Sequence, residues 1–177
     1  MTVPAAGRGD GVVLALHVGA GPHPVGTPVP VAVRVINTGV APIRMPRVLD
    51  GSETATRLPH YRPAVLHGGA QVAGPPAAED PLVGPVRPED LRWLGPGESF
   101  DPTSRSAAGG LSLSTFTTFR PDRPGTYRYT LLLDTTGSEE QWFGRFGQEP
   151  YREAVLPLLA EVPQVLLSAA VDVVVEA

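Results

Sequence analysis

Hydrophobic and polar positions alternate with period two over most of this chain. Val12, Leu14, Leu16 and Val18 alternate with Val13, Ala15 and His17, which predicts a first strand. Val29, Val31, Val33 and Val35 alternate with Pro30, Ala32, Arg34 and Ile36, a second strand rich in β-branched residues that closes on Asn37-Thr38-Gly39. A third, shorter strand is expected over 41–49, interrupted by Pro42 and Pro46. Leu111, Leu113, Thr115, Thr117 and Phe119 predict a strand over 111–119. From Arg120 to Asp134, a Pro/Gly corner feeds the best-patterned strand, with Tyr127, Tyr129, Leu131 and Leu133 on one face. Val165 to Glu176 predicts the last strand.

Two stretches break this rhythm. Over 50–92, Ala64 to Leu66 and Gln71 to Ala73 can form a hairpin around His67-Gly68-Gly69, and 74–88, rich in Pro and acidic residues, reads as a long loop. Within 137–164, Tyr151, Val155, Leu158, Leu159 and Val162 have helical spacing. Pro150 suits a helix start and Pro157 interrupts it, so one short, kinked helix is expected. The fold class is therefore all-β: an antiparallel sandwich of seven to eight strands, a long central loop, and a helical insertion before the last strand. Residues 1–10 read as a flexible tail and 11–177 as one domain.

Pro-Gly-Thr-Tyr at 124–127 and the opening of apolar alternation, Asn-Thr-Gly and a short strand give this chain a family likeness. Over about 11–49 and 93–176 it resembles bacterial immunoglobulin-like and fibronectin-III-like modules, and its pattern is similar to domains of the intracellular proteinase inhibitor type. The resemblance implies a tyrosine corner at Tyr127, recognition on end loops, and a packing role for an aromatic residue before the last strand.

Composition removes several kinds of chemistry. There is no Cys, which excludes disulfides, thiolate nucleophiles and zinc–thiolate sites. All 14 basic residues are Arg, which excludes Schiff-base and phosphate-loop lysines and fits the coding bias of a GC-rich bacterium. A net charge of −4 without a basic run gives no reason to expect nucleic acid as a partner. The N-terminus has no signal-like h-region and no apolar run approaches a membrane span, so a cytoplasmic protein without membrane association is expected. No catalytic residue, metal site or cofactor is expected. His17, His23, His60 and His67 match no metal-binding spacing, Glu79-Asp80, Glu89-Asp90 and Glu139-Glu140 read as solvated pairs, and no Gly-x-Ser-x-Gly elbow occurs.

Two clusters remain as candidate binding residues. Trp142, Phe143, Arg145 and Phe146 lie between glycines in the insertion, where aromatics and Arg could make a contact surface; the competing and preferred reading is that they pack the insertion onto the sandwich. His60, Tyr61 and Arg62, between Pro59 and Pro63, form the second cluster, and the two would frame one pocket if they met at the same end. The leading functional expectation is a non-enzymatic binding or assembly module that meets a protein partner through end loops or an edge strand. The Val-rich last strand would also permit self-association. A proteinase inhibitor using the 74–88 loop, and a small-molecule-binding protein or small biosynthetic enzyme, are the alternatives.

Overall fold

A computed structural model describes residues 7–9, 11–78, 82–104, 111–144 and 150–177. The described chain forms eleven strands in three sheets, with antiparallel pairing except at one short edge. The tail expected over 1–10 lies mostly outside the described residues; Gly7–Gly9 within it form strand β1. The other strands are β2 (Val12–Val18), β3 (His23–Pro24), β4 (Val31–Asn37), β5 (Ile43–Pro46), β6 (His60–His67), β7 (Ala70–Ala73), β8 (Leu91–Leu94), β9 (Ser99–Phe100), β10 (Gly125–Asp134) and β11 (Leu166–Glu176).

The larger sheet runs β3-β11-β10-β6-β7, the second β1-β2-β4-β9, and β5 with β8 makes a two-stranded ribbon. β10 is the central strand: it pairs with β11 from Gly125↔Val175 to Asp134↔Leu166, and with β6 from Tyr127↔His67 to Asp134↔His60. Its inward row of Tyr127, Tyr129, Leu131 and Leu133 is fully buried against Leu14, Leu16, Val33 and Val35 of the facing sheet. One core between two sheets makes the molecule a β-sandwich at the coarse level. No helix among the described residues is long and apolar enough to cross a membrane.

The corner expected before β10 is present. The Tyr127 hydroxyl donates to the Arg123 carbonyl (3.1 Å), which ties the strand to the turn that feeds it. Tyr129 follows two residues later on the same face, against the rings of Phe116 and Phe119, and its hydroxyl has no hydrogen-bond partner among the described residues. Burial pushes that hydroxyl's pKa up to about 12.

The strand expected over 111–119 is instead helix α1 (Ser114–Thr118). Its sequence is a poor helix former, so the cause lies elsewhere in the chain. Glu53, in the central loop, places one carboxylate oxygen on the Ser114 N–H and hydroxyl (2.9 and 2.7 Å) and the other on those of Thr115 (2.9 and 2.7 Å). The carboxylate satisfies donors that a helix start leaves open. It also turns Leu113 and Phe116 together into the core.

The insertion holds two helices, not one. Helix α3 (Arg152–Leu159) matches the expected helical spacing and contains Pro157. Helix α2 (Glu139–Phe143) was not anticipated; the Gln141 side-chain oxygen accepts the Ser138 N–H (2.7 Å), as in a capping box. Together with Leu49, Leu58, Val86 and Leu91, the buried faces of α2 and α3 build a second hydrophobic cluster beside the sandwich.

Removing one hydroxyl from each core tyrosine should have opposite outcomes. Tyr127→Phe loses a satisfied bond and should cost about 1 kcal/mol, whereas Tyr129→Phe removes an orphaned hydroxyl and should be neutral or stabilising, both read from urea unfolding. Glu53→Gln replaces one acceptor oxygen by a donor that faces two other donors. It should destabilise by about 1–3 kcal/mol in the same assay.

Candidate functional site

The two clusters singled out in the sequence are joined through their flanking residues. The Leu58 N–H donates to the Gln141 carbonyl (2.8 Å), which brings the 59–63 stretch next to α2. Tyr61 belongs to the sandwich core, whereas Trp142 and Phe143 belong to the second hydrophobic cluster. Trp142 and Phe143 are each 2% exposed and sit in the second hydrophobic cluster with Leu58. The Arg152 guanidinium lies 4.5 Å over the Phe143 ring and covers its outer side. Tyr61 is fully buried, and its hydroxyl donates to the Pro46 carbonyl (2.8 Å). Burial also raises its pKa. Arg145 and Phe146 lie outside the described residues.

His60 and Arg62 point to the other side of β6. His60 Nδ1 is 3.8 Å from the Asp134 carboxylate on the neighbouring strand. Burial lowers the His60 pKa, Asp134 opposes that, and Arg62 adds to it. Arg62 is exposed and opposes Leu132 in the register. Neither residue reaches Trp142 through any hydrogen bond or ring contact among the described residues. Among the described residues, no group of three or more His, Asp or Glu is placed to hold a metal ion.

Open space occurs instead where the two halves of the central loop meet. Gly51, at φ +84°, allows the turn after Asp50, and a Cβ there would sit 2.7 Å from the Val83 side chain. The Gly84 N–H donates to Asp50 Oδ2 (2.8 Å), and Arg57 Nε donates to the Asp50 carbonyl (2.8 Å). Val86 is fully buried, so the part of the 74–88 stretch expected to protrude as an inhibitor loop is held down against the protein at Gly84 and Val86.

Two cavities flank Asp50. One, of about 240 Å³, is lined by both aspartates Asp50 and Asp90, both arginines Arg57 and Arg87, and the apolar Val48, Leu49 and Leu111. Asp90 Oδ2 accepts the Arg87 N–H (2.9 Å), but burial outweighs that bond and the nearby arginines and raises its pKa. The other cavity is an open groove of about 430 Å³ between Thr54 and Thr56 on one side and Pro76, Ala77, Ala78, Leu82 and Val83 on the other. Asp50 is the one charged residue among the described residues that line it. Sequence reading missed both cavities, because the pairing of residues 50–57 with 82–87 is long-range and carries no periodic signal.

The groove begins three residues beyond β7, which is an edge of the larger sheet. Gly68 and Gly69 both have positive φ, 58° and 83°, which defines the two-residue turn that joins β6 to β7. That turn makes His67↔Ala70 the closing, mutually bonded pair, so Gln71, one step on, directs its N–H and C=O away from β6. Val72, on the irregular side of the pairing, is 38% exposed.

The raised pKa of Asp90 makes a pH-dependent prediction. Its folded-state value lies above the unfolded one, so ionised Asp90 opposes folding, and the penalty grows as pH rises from the ordinary carboxylate range through the folded value. Asp90→Asn keeps an acceptor for Arg87 and removes the titration. The stability of this variant relative to wild type should therefore improve between pH 4 and pH 7 in parallel urea melts.

Comparison of this chain with protein-family models, with curated proteins and with solved structures yields no match.

Proposed function

We propose that the protein is a non-enzymatic binding module that takes up an extended segment of a protein partner along the free edge of β7. The observation that carries this reading is the chemistry of that edge. From Gly68 to Ala78 the chain has no charged residue, and β7 itself contains no Pro. Edge strands are commonly guarded by charges, prolines or extreme shortness, because their unpaired backbone groups template further pairing. The other edge strands have such guards: β3 is two residues long and ends in Pro24, β9 is two residues long, β1 is three residues long with Arg8 in it, and the β5–β8 ribbon carries Arg44, Pro46 and Arg92. An edge left uncharged, with Gln71 turning its backbone donor and acceptor outward, favours strand addition, in which main-chain bonds supply affinity and side-chain pockets supply selectivity.

Burial of Trp142 and Phe143 weighs against the end-loop alternative, since neither ring offers surface to a partner. An immunoglobulin-like relationship remains part of the proposal. It is supported by the Tyr127–Arg123 bond at the entrance to the central strand, while the β5–β8 ribbon and the second hydrophobic cluster are additions to the seven- or eight-stranded pattern.

Selection from a displayed library of unstructured ten-residue peptides tests the reading. Wild-type protein should enrich binders, and Gln71→Pro, which removes the outward N–H, should weaken every selected binder at least about tenfold. The melting temperature of the variant serves as the control for folding. Selected peptides that bind a folded Gln71→Pro variant unchanged would remove β7 as the site.

A further inference from the structure

Strands β6 and β10 leave the sandwich side by side where it joins the insertion. His60 opens β6, Asp134 closes β10, and the two oppose each other in the last row of their ladder. Beyond that row both chains run into the second hydrophobic cluster. Leu58, two residues before His60, gives its N–H to the Gln141 carbonyl (2.8 Å). Gly137, three residues after Asp134, packs so closely on Leu58 that an added Cβ would sit 2.6 Å from Leu58 Cδ1. Trp142 and Phe143 follow on α2, buried with Leu58 in a cluster distinct from the sandwich core. We propose that the His60–Asp134 pair is an acid-sensitive hinge: a proton on the His60 ring loosens α2 from the sandwich and exposes Trp142 and Phe143.

A charge on this ring is poorly met by its surroundings. His60 Nδ1 lies 3.8 Å from Asp134 Oδ2, beyond hydrogen-bond length, so the carboxylate offers attraction without a bond. The other oxygen, Asp134 Oδ1, is held by the Thr136 N–H (2.8 Å) and hydroxyl (2.6 Å) in the turn that leads to α2. Arg62, two residues along β6, repels a second cation. Among the described residues, Asp134 and Arg62 are the charged groups that act on the ring. Burial is the largest influence and lowers the pKa, with Asp134 opposing it and Arg62 adding to it. In an opened hinge water surrounds the ring and the burial penalty is gone. The closed-state pKa therefore lies below the opened one, and the advantage of the closed form is full above the ordinary histidine range. It is lost as pH falls from there through the closed-state value. A small cluster joined to a larger core by few connections is where such local opening costs least.

Hydrogen exchange followed by NMR on the full chain tests the hinge, with each rate corrected for the pH dependence of the exchange chemistry. Between pH 7.5 and pH 5, protection of the Leu58 amide and of the Trp142 indole N–H should fall at least about threefold, while that of the Tyr129 amide in β10 does not fall. His60→Gln keeps a polar side chain that cannot be charged, and it should abolish the fall at Leu58 and Trp142. Asp134→Asn keeps an acceptor for Thr136 but removes the charge that tolerates the proton, so its fall should exceed that of wild type. Asp90 adjoins the same cluster through Leu91 and responds to acid in the opposite sense, so comparison with His60→Gln isolates the ring. The hinge is ruled out if wild-type protection at Leu58 and Trp142 holds at pH 5, if Tyr129 loses protection in step, or if the fall persists in His60→Gln. It is equally ruled out if Asp134→Asn falls no further than wild type, a result that decides alone should His60→Gln not fold.

Discussion

The structure depends on a single strand being bonded along both of its edges. β10 has a ladder to β6 on one side and to β11 on the other over nearly its whole length, so its backbone donors and acceptors are used without water. That double pairing lets Tyr127, Tyr129, Leu131 and Leu133 be buried in one row, because a strand with an open edge could not be sunk so deep at tolerable cost. At its entrance, the Tyr127 hydroxyl holds the preceding corner, and at its exit Thr135 Oγ1 accepts the Val165 N–H (2.9 Å), setting where β11 begins. Register on both sides then follows, since a one-residue slip would turn the aromatic row to solvent.

Everything outside this sandwich is organised by contacts that are distant in sequence. Glu53 is 61 residues from Ser114, yet its carboxylate decides that 114–118 is helical. Leu58 is fixed to α2 by a backbone bond, and Arg57 and Gly84 both bond to Asp50. The central loop therefore behaves as a clasp between the sandwich and the two insertion helices. Grooves arise at its seams because a clasp made of hydrogen bonds and glycine turns, with few large apolar side chains, leaves space that a packed core would fill.

This division explains what could be read from the sequence. Period-two alternation named β2, β4, β10 and β11, and the Gly-Gly turn named the β6–β7 hairpin, because in each case the signal is local: side-chain pattern or turn chemistry. The same rule misread 111–119. Leu113 and Phe116 are three apart on one helical face, but Thr115 and Thr117 between them imitate a strand, and the deciding partner, Glu53, is far along the chain. Helix α2 was legible in principle: Ser138-Glu139-Glu140-Gln141 has the form of a capping box with acidic residues in the first turn. Its aromatics drew attention as a surface, though their burial is what the insertion needs to hold on to the sandwich. Of the candidate residues, Arg62 is exposed and His60 half-buried; the grooves were invisible because both walls come from segments with no periodicity.

Edge chemistry separates a strand that merely ends a sheet from one available to a partner. A hairpin strand with no function at its edge gains by acquiring a charge there, since a single Lys or Glu suppresses unwanted pairing and costs little on an exposed strand. β7 is exposed at three of its four positions and has none. Stability does not require that composition: Ala70, Gln71 and Val72 contribute little to either hydrophobic cluster, and Gly74 follows at once. β7 thus pairs with β6 alone, keeps a hold on the core through Ala73, and adds an uncharged, largely exposed strand to a molecule of net negative charge.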